Sequence, residues 1–203
     1  AMLDDCANVN AGITGGEATI GASYDFGNGF TAATGFQTSS TTSGVFTDES
    51  ADAYAVNAAY TADSYGVSLT YSNVEATTDS GALTDEENTY TALNAYYTPE
   101  GSLPSISVGY EIGELGGAAS TEDETTSLFV GLSWDEVGPG TAGIALGHSS
   151  TNEKDDEEYM YEAYYSYDIN DGMTITPLIF TKENATSGKD DTTGLMVKTS
   201  FSF

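Results

Sequence analysis

The sequence predicts an all-β protein, an antiparallel transmembrane β-barrel of about eleven or twelve strands, and three observations predict it. The first is the final stretch, residues 192 to 203. Leu195, Val197, Phe201 and Phe203 fall on one side of an extended strand, and Gly194, Met196, Lys198, Ser200 and Ser202 on the other, because strand side chains alternate with period two. One face is apolar and the other mostly polar, as a strand standing between lipid and an aqueous lumen requires. The second is the recurrence of that alternation along the chain, with short turns and long polar loops taking turns between strands. The third is the crowding of aromatic residues beside the short turns.

Taken in order, residues 8–14 (Asn-Val-Asn-Ala-Gly-Ile-Thr) hint at a strand. From Glu17 the pattern firms: Ala18, Ile20, Ala22, Tyr24 and Phe26 share one face and Thr19, Gly21, Ser23 and Asp25 the other. Gly27-Asn28-Gly29 reverses the chain, since Asn and Gly accept the positive φ of tight hairpins. Phe30, Ala32, Thr34 and Phe36 then carry the apolar face back. A Ser/Thr-rich loop spans Ser39 to Ser50, too polar and too long for a tight turn. Tyr54, Val56, Ala58 and Tyr60, a turn near Asp63-Ser64, and Tyr65, Val67, Leu69 and Tyr71 make the next hairpin.

A second polar loop is expected at about 76–88, before Leu93, Ala95 and Tyr97, a compact turn at 99–104, and Ile106, Val108, Tyr110 and Ile112. A third, Gly116 to Glu124, precedes Leu128, Val130, Leu132 and Trp134, the Gly138-Pro-Gly140 turn, and Ala142, Ile144 and Leu146. The fourth, Thr151 to Glu157, carries the densest charge. Tyr159, Tyr161, Tyr165 and Tyr167 follow, Asn170-Asp-Gly172 turns the chain into Met173, Ile175, Pro177 and Ile179, and the loop Glu183 to Asp191 leads to the last strand.

Short connections thus gather at one end and long acidic ones at the other, the asymmetry of barrels with short periplasmic turns and long external loops. Tyr24, Phe26, Phe30, Tyr60, Tyr65, Tyr97, Trp134, Tyr165, Tyr167, Phe201 and Phe203 lie on the apolar face close to a short turn or the C-terminal residue. They are expected to form an aromatic girdle at one membrane interface. The alternative is that they staple hairpin ends in a soluble secreted β-sandwich or adhesin-like binding module, whose apolar faces would pack on each other.

Composition narrows the function. The 203 residues carry 32 acidic side chains against 4 lysines and no arginine, a net charge of −28. Nucleic acid is excluded as a partner, because its binding rests on cationic contacts to phosphate. No run of 18 apolar residues exists, so a membrane helix is excluded while a barrel, whose signal is spread over short segments, is not. The chain reads as one domain, 1–203. Its first residues show no basic or hydrophobic export signal, so any such signal is removed or lies further upstream, and the single Cys6 is either a free thiol or half of a disulfide to an upstream segment, the second suiting an exported setting.

On the predicted lumen face stand Asp25, Glu111, Asp135, Glu162, Asp168, Lys182 and Lys198. Carboxylates outnumber amines, so a water-filled pore lined by them would favour cations; solvation at strand ends is the plainer alternative for any one of them. Tyr90, Tyr96, Phe129, Tyr164 and Phe180 also point inward, offering either stacking surfaces for a sugar or filling for a narrow lumen. The acidic runs 85–87, 122–124 and 155–158 could hold Ca²⁺ loosely, but none has the spacing of a defined calcium loop, and solvated external loops are favoured. No resident cofactor or metal site is expected. His148 is the only imidazole, with no Gly-x-Ser-x-Gly elbow, so catalysis finds no support; one His and one Cys do not make a zinc site.

Residues 21–30 (Gly-Ala-Ser-Tyr-Asp-Phe-Gly-Asn-Gly-Phe), 59–67 (Ala-Tyr-Thr-Ala-Asp-Ser-Tyr-Gly-Val), 104–110 (Pro-Ser-Ile-Ser-Val-Gly-Tyr) and the ending Val-Lys-Thr-Ser-Phe-Ser-Phe resemble the C-terminal barrel region of cyanobacterial outer-membrane porins related to the carbohydrate-selective porin family. That resemblance implies an outer-membrane passive diffusion channel for small hydrophilic solutes, embedded in lipid and assembled as a homotrimer. It also implies an envelope-anchoring domain and further strands upstream, with the chain as the C-terminal part of a larger 14–16-stranded barrel and the partner of Cys6 in the missing segment. The absence of Arg departs from the basic constriction ladder of general porins. A structural anchor with a plugged lumen is the further alternative to an open channel.

Overall fold

The computed structural model describes residues 18–39, 51–77, 83–116, 123–149, 158–184, 186 and 188–202. Eleven strands follow one another: β1 (Ala18–Gly27), β2 (Phe30–Ser39), β3 (Ala51–Thr61), β4 (Tyr65–Thr77), β5 (Leu83–Tyr97), β6 (Ser105–Leu115), β7 (Glu124–Val137), β8 (Gly140–Ser149), β9 (Tyr159–Asn170), β10 (Met173–Lys182) and β11 (Thr192–Phe201). Each pairs antiparallel with the next, in one sheet ordered β1 to β11. The strand suggested at 8–14, Cys6 and Phe203 lie outside the described residues.

The turns follow from residue type. Asn28 and Gly29, at φ of 57° and 84°, close the first hairpin between the paired Gly27 and Phe30, the positive-φ pair that matches strand twist. The Gly27 amide donates to Asp25 Oδ1 at 2.8 Å where the register shifts. At the last short turn, the Gly172 amide donates to Asn170 Oδ1 at 2.9 Å.

Two loops are shorter than the sequence predicts. The 76–88 loop is replaced by strand to Thr77 and again from Leu83, and β7 begins at Glu124. Polarity argued for a loop there, but cross-strand bonds carry the ladder on. Glu75 and Glu87 face each other in register, a pairing of like charges that costs stability when unrelieved. Here the Asp52 amide donates to Glu75 Oε2 at 2.9 Å, and Asn73 Nδ2 donates to Glu87 Oε2 at 2.6 Å. Each carboxylate is thereby given its own donor.

The sheet is curled, not stacked. Every substantial strand contact joins consecutive strands, so among the described residues no second sheet packs on the first. Ile106, Val108 and Ile144 are 39%, 41% and 47% exposed, where a sandwich would hold them in a dry interior. Meanwhile β3 through β9 all line one cavity of about 570 Å³. Seven successive strands can share a cavity only if the sheet wraps around it. The fold is an antiparallel transmembrane β-barrel wall, with β1 and β11 at the ends of the described order.

Candidate functional site

Burial in this wall is the reverse of that in a water-soluble domain. Outward lie Ile20, Leu69, Leu93, Ile179 and Leu195, all exposed. The most deeply buried side chains include Thr70, Ser72, Ser127, Glu111 and Glu162 on the concave face, joined there by Ala53, Ala92 and Leu178, while Thr38, Asn73 and His148 are buried on the outer face only at the strand ends beside the long connections. A charge is costly to bury away from water or partners, and apolar groups leave water spontaneously. An arrangement with both preferences inverted has hydrocarbon outside and a polar interior.

The pairing register puts six of the seven predicted lumen residues, Asp25, Glu111, Glu162, Asp168, Lys182 and Lys198, on that inner face, and Asp135 falls in the irregularity between Trp134 and Val137. Glu111 is opposite Ala92 and Ser127, in a row that continues through Thr70 to Asn57. Asn57 Nδ2 donates to Thr70 Oγ1 at 2.8 Å. Glu162, between Ala145 and Phe180, borders the cavity itself. Asp25, Asp135 and Asp168 are exposed near the short turns, Asp168 accepting from Thr174 Oγ1 at 2.6 Å. Lys182 pairs with Glu158 at 2.6 Å towards the opposite end, and Lys198 is exposed on β11 opposite Thr176. The structure therefore spreads these charges along the wall, with Glu111 and Glu162 the two carried deepest, instead of gathering them at one point.

The predicted girdle residues, apart from Phe203, occupy the outer face at the short-turn end. Ring centroids of Tyr24 and Phe26 lie 4.8 Å apart, Phe30 and Tyr60 4.6 Å, and Tyr60 and Tyr65 5.9 Å. Tyr165 Oη also donates to the Val137 carbonyl at 2.8 Å.

A second aromatic group was not assembled from the sequence. Tyr54 and Tyr71 lie 6.4 Å apart, Tyr159 and Tyr161 are stacked at 6.3 Å, and His148 lies 4.9 Å from Tyr159, all on the outer face nearer the long connections. Tyr54, Tyr71 and Tyr161 each stand six positions from a member of the first group, Tyr60, Tyr65 and Tyr167. At about 3.3 Å per residue that is roughly 20 Å along a strand, close to the height of the apolar band between two interfacial girdles. The signal was a six-residue spacing on one strand face.

The five inward aromatics, legible as inward from alternation, have a further property that only the register shows. Tyr96 is paired with Gly66, Tyr90 with Gly113, Tyr164 with Gly143 and Phe180 with Gly194. In each pair the ring fills the space that a Cβ on the glycine would take, and Phe129 does the same to Gly131 on its own strand. The rings lie down on the wall.

Among the described residues no group of three His, Cys, Asp or Glu is placed to hold a metal ion. The acidic runs offered as loose Ca²⁺ ligands are only partly described; residues 122 and 155–157 are outside, and 85–87 belong to β5.

No protein-family model matches the chain, and no curated protein matches it. Among solved structures it is similar to one described as "KdgM porin", at 12% identity and a TM-score of 0.44, and to one described as "KdgM porin in complex with disordered oligogalacturonate", at 13% and 0.44. Each match covers 91% of both chains. Likeness at that level leaves function to be read from the wall itself.

Proposed function

We propose that the protein is an outer-membrane porin, a passive diffusion channel for small hydrophilic solutes and ions, whose acidic lumen favours cations. The observation that carries this reading is the inverted burial: Glu111, Glu162, Thr70, Ser72 and Ser127 are buried on the concave face, Glu162, Asn94 and several hydroxyls border the shared cavity, and Ile20, Leu69, Leu93, Ile179 and Leu195 stand exposed on the outer face. The channel supplies a hole and a field, and the protein performs no chemistry. Among the described residues, inward carboxylates at Asp25, Glu111, Glu162 and Asp168, with Asp135 at the short-turn rim, stand against Lys182, itself paired with Glu158, and Lys198. With a net charge of −28, the potential along the path attracts cations and repels anions, most strongly where low-dielectric walls focus it. The cyanobacterial-type, carbohydrate-selective relationship and the homotrimer belong to this proposal and rest on the strand motifs quoted above.

Planar bilayers test it. The purified chain is expected to give discrete conductance steps, and a KCl gradient is expected to give a reversal potential of the sign set by K⁺ permeation. A silent bilayer holding folded, inserted protein would point to the plugged structural anchor. An anion-selective reversal potential would refute the acidic-lumen part alone.

A further inference from the structure

The lumen aromatics and their glycines make a device for setting the bore. Gly66 and Gly143 lie on β4 and β8, and Tyr96 and Tyr164 on the adjoining β5 and β9. Gly66, Tyr96 and Tyr164 border the cavity, with Phe129 and Gly131 between them on β7. Glycine inside a strand weakens it unless something uses the missing side chain, and an aromatic laid over a neighbouring strand's glycine is one such use. Here the use has a consequence for permeation. The atoms that a Cβ on Gly66 or Gly143 would meet first are the far ring atoms of Tyr96 and Tyr164, not backbone. The ring, which turns about its side-chain torsions, would yield before the ladder did.

Eight strands enclose an interior that side chains already fill, and the diameter grows roughly linearly as strands are added. In a wall of this size, whether a tyrosine lies flat or stands up decides a large part of the free cross-section. Resting on the porin reading above, we infer that Gly66 and Gly143 are calibre-determining residues: each seats its partner tyrosine against the wall, and so sets the largest solute that passes.

Single-channel conductance, with folding checked by heat-modifiable gel mobility, tests this. Gly66→Ala is expected to lower conductance roughly twofold, because the displaced Tyr96 ring enters the bore of a wall with only three described strands more than the eight that side chains alone can fill. The double variant Gly66→Ala/Tyr96→Ala is expected to return to the wild-type value or exceed it. A purely structural role for Gly66 would leave the double variant as impaired as the single. Gly143→Ala, alone and with Tyr164→Ala, repeats the test at an independent seat should Gly66→Ala not fold, and Tyr96→Ala by itself is expected to conduct more than wild type. Wild-type conductance in folded Gly66→Ala and Gly143→Ala would overturn the inference and leave the porin reading standing. A silent wild-type protein would overturn both.

Discussion

Leu69→Arg is expected to destabilise the folded protein in lipid bilayers by about 2–4 kcal/mol, the cost of an arginine on the lipid face of a barrel near the midplane. Leu69 is 52% exposed on the outer face, between Tyr65 and Tyr71 on the same strand. Hydrocarbon cannot solvate a guanidinium there, and the side chain must snorkel to an interface or draw water in. Ser68→Arg, one residue away but on the cavity side, is expected to change stability by less than about 1 kcal/mol, because the new charge stays wet and faces an acidic lumen. Equilibrium urea unfolding in liposomes measures both. Equal costs at 68 and 69 would mean that the two faces see the same medium, which a membrane barrel forbids and a soluble sheet would allow.

The second large effect concerns selectivity. Glu162 borders the cavity and Glu111 is the other deeply placed inward carboxylate. A unit charge about 5 Å from an ion's path is worth roughly 0.8 kcal/mol even at water's dielectric constant. That is about fourfold in local cation concentration, with an opposite effect on anions. Glu162→Gln, which keeps shape and removes charge, is therefore expected to reduce the K⁺:Cl⁻ permeability ratio roughly tenfold, and adding Glu111→Gln to reduce it further. Asp25→Asn, at the exposed short-turn rim, is expected to change the ratio less than twofold in 0.15 M salt, where screening falls within about 8 Å. Reversal potentials across a KCl gradient give all three values. An unchanged ratio in the Glu162→Gln/Glu111→Gln protein would remove the acidic-lumen account.

How much of this was legible beforehand depended on the physical range of each signal. Alternation with period two is local, so the inward and outward sets of β1, β4, β6 and β11 follow from side-chain chemistry alone, and the observed register keeps them. Hairpin turns are equally local: Asn28-Gly29 and Asn170-Asp-Gly172 announce themselves by residue type. Strand ends near the long connections are polar, and polarity alone reads as loop. The bonds from Asn73 to Glu87 and from the Asp52 amide to Glu75 depend on which strands adjoin. Seats such as Gly66 under Tyr96 were hidden for the same reason, since their partners are 30 residues apart and meet only through register. The second aromatic group needed no tertiary knowledge, only attention to spacing on one face.

The central claim is that hydrocarbon covers one face of every strand and water wets the other. Spin labels placed singly at positions 66–69 and 105–108, in a Cys6→Ser background in liposomes, test it most directly through collision with oxygen and with a water-soluble nickel chelate. Oxygen accessibility is expected to peak at 67, 69, 106 and 108, and nickel accessibility at 66, 68, 105 and 107, with a two-residue period throughout. Nickel accessibility high on both faces, or oxygen maxima at the cavity-side positions, would contradict the account.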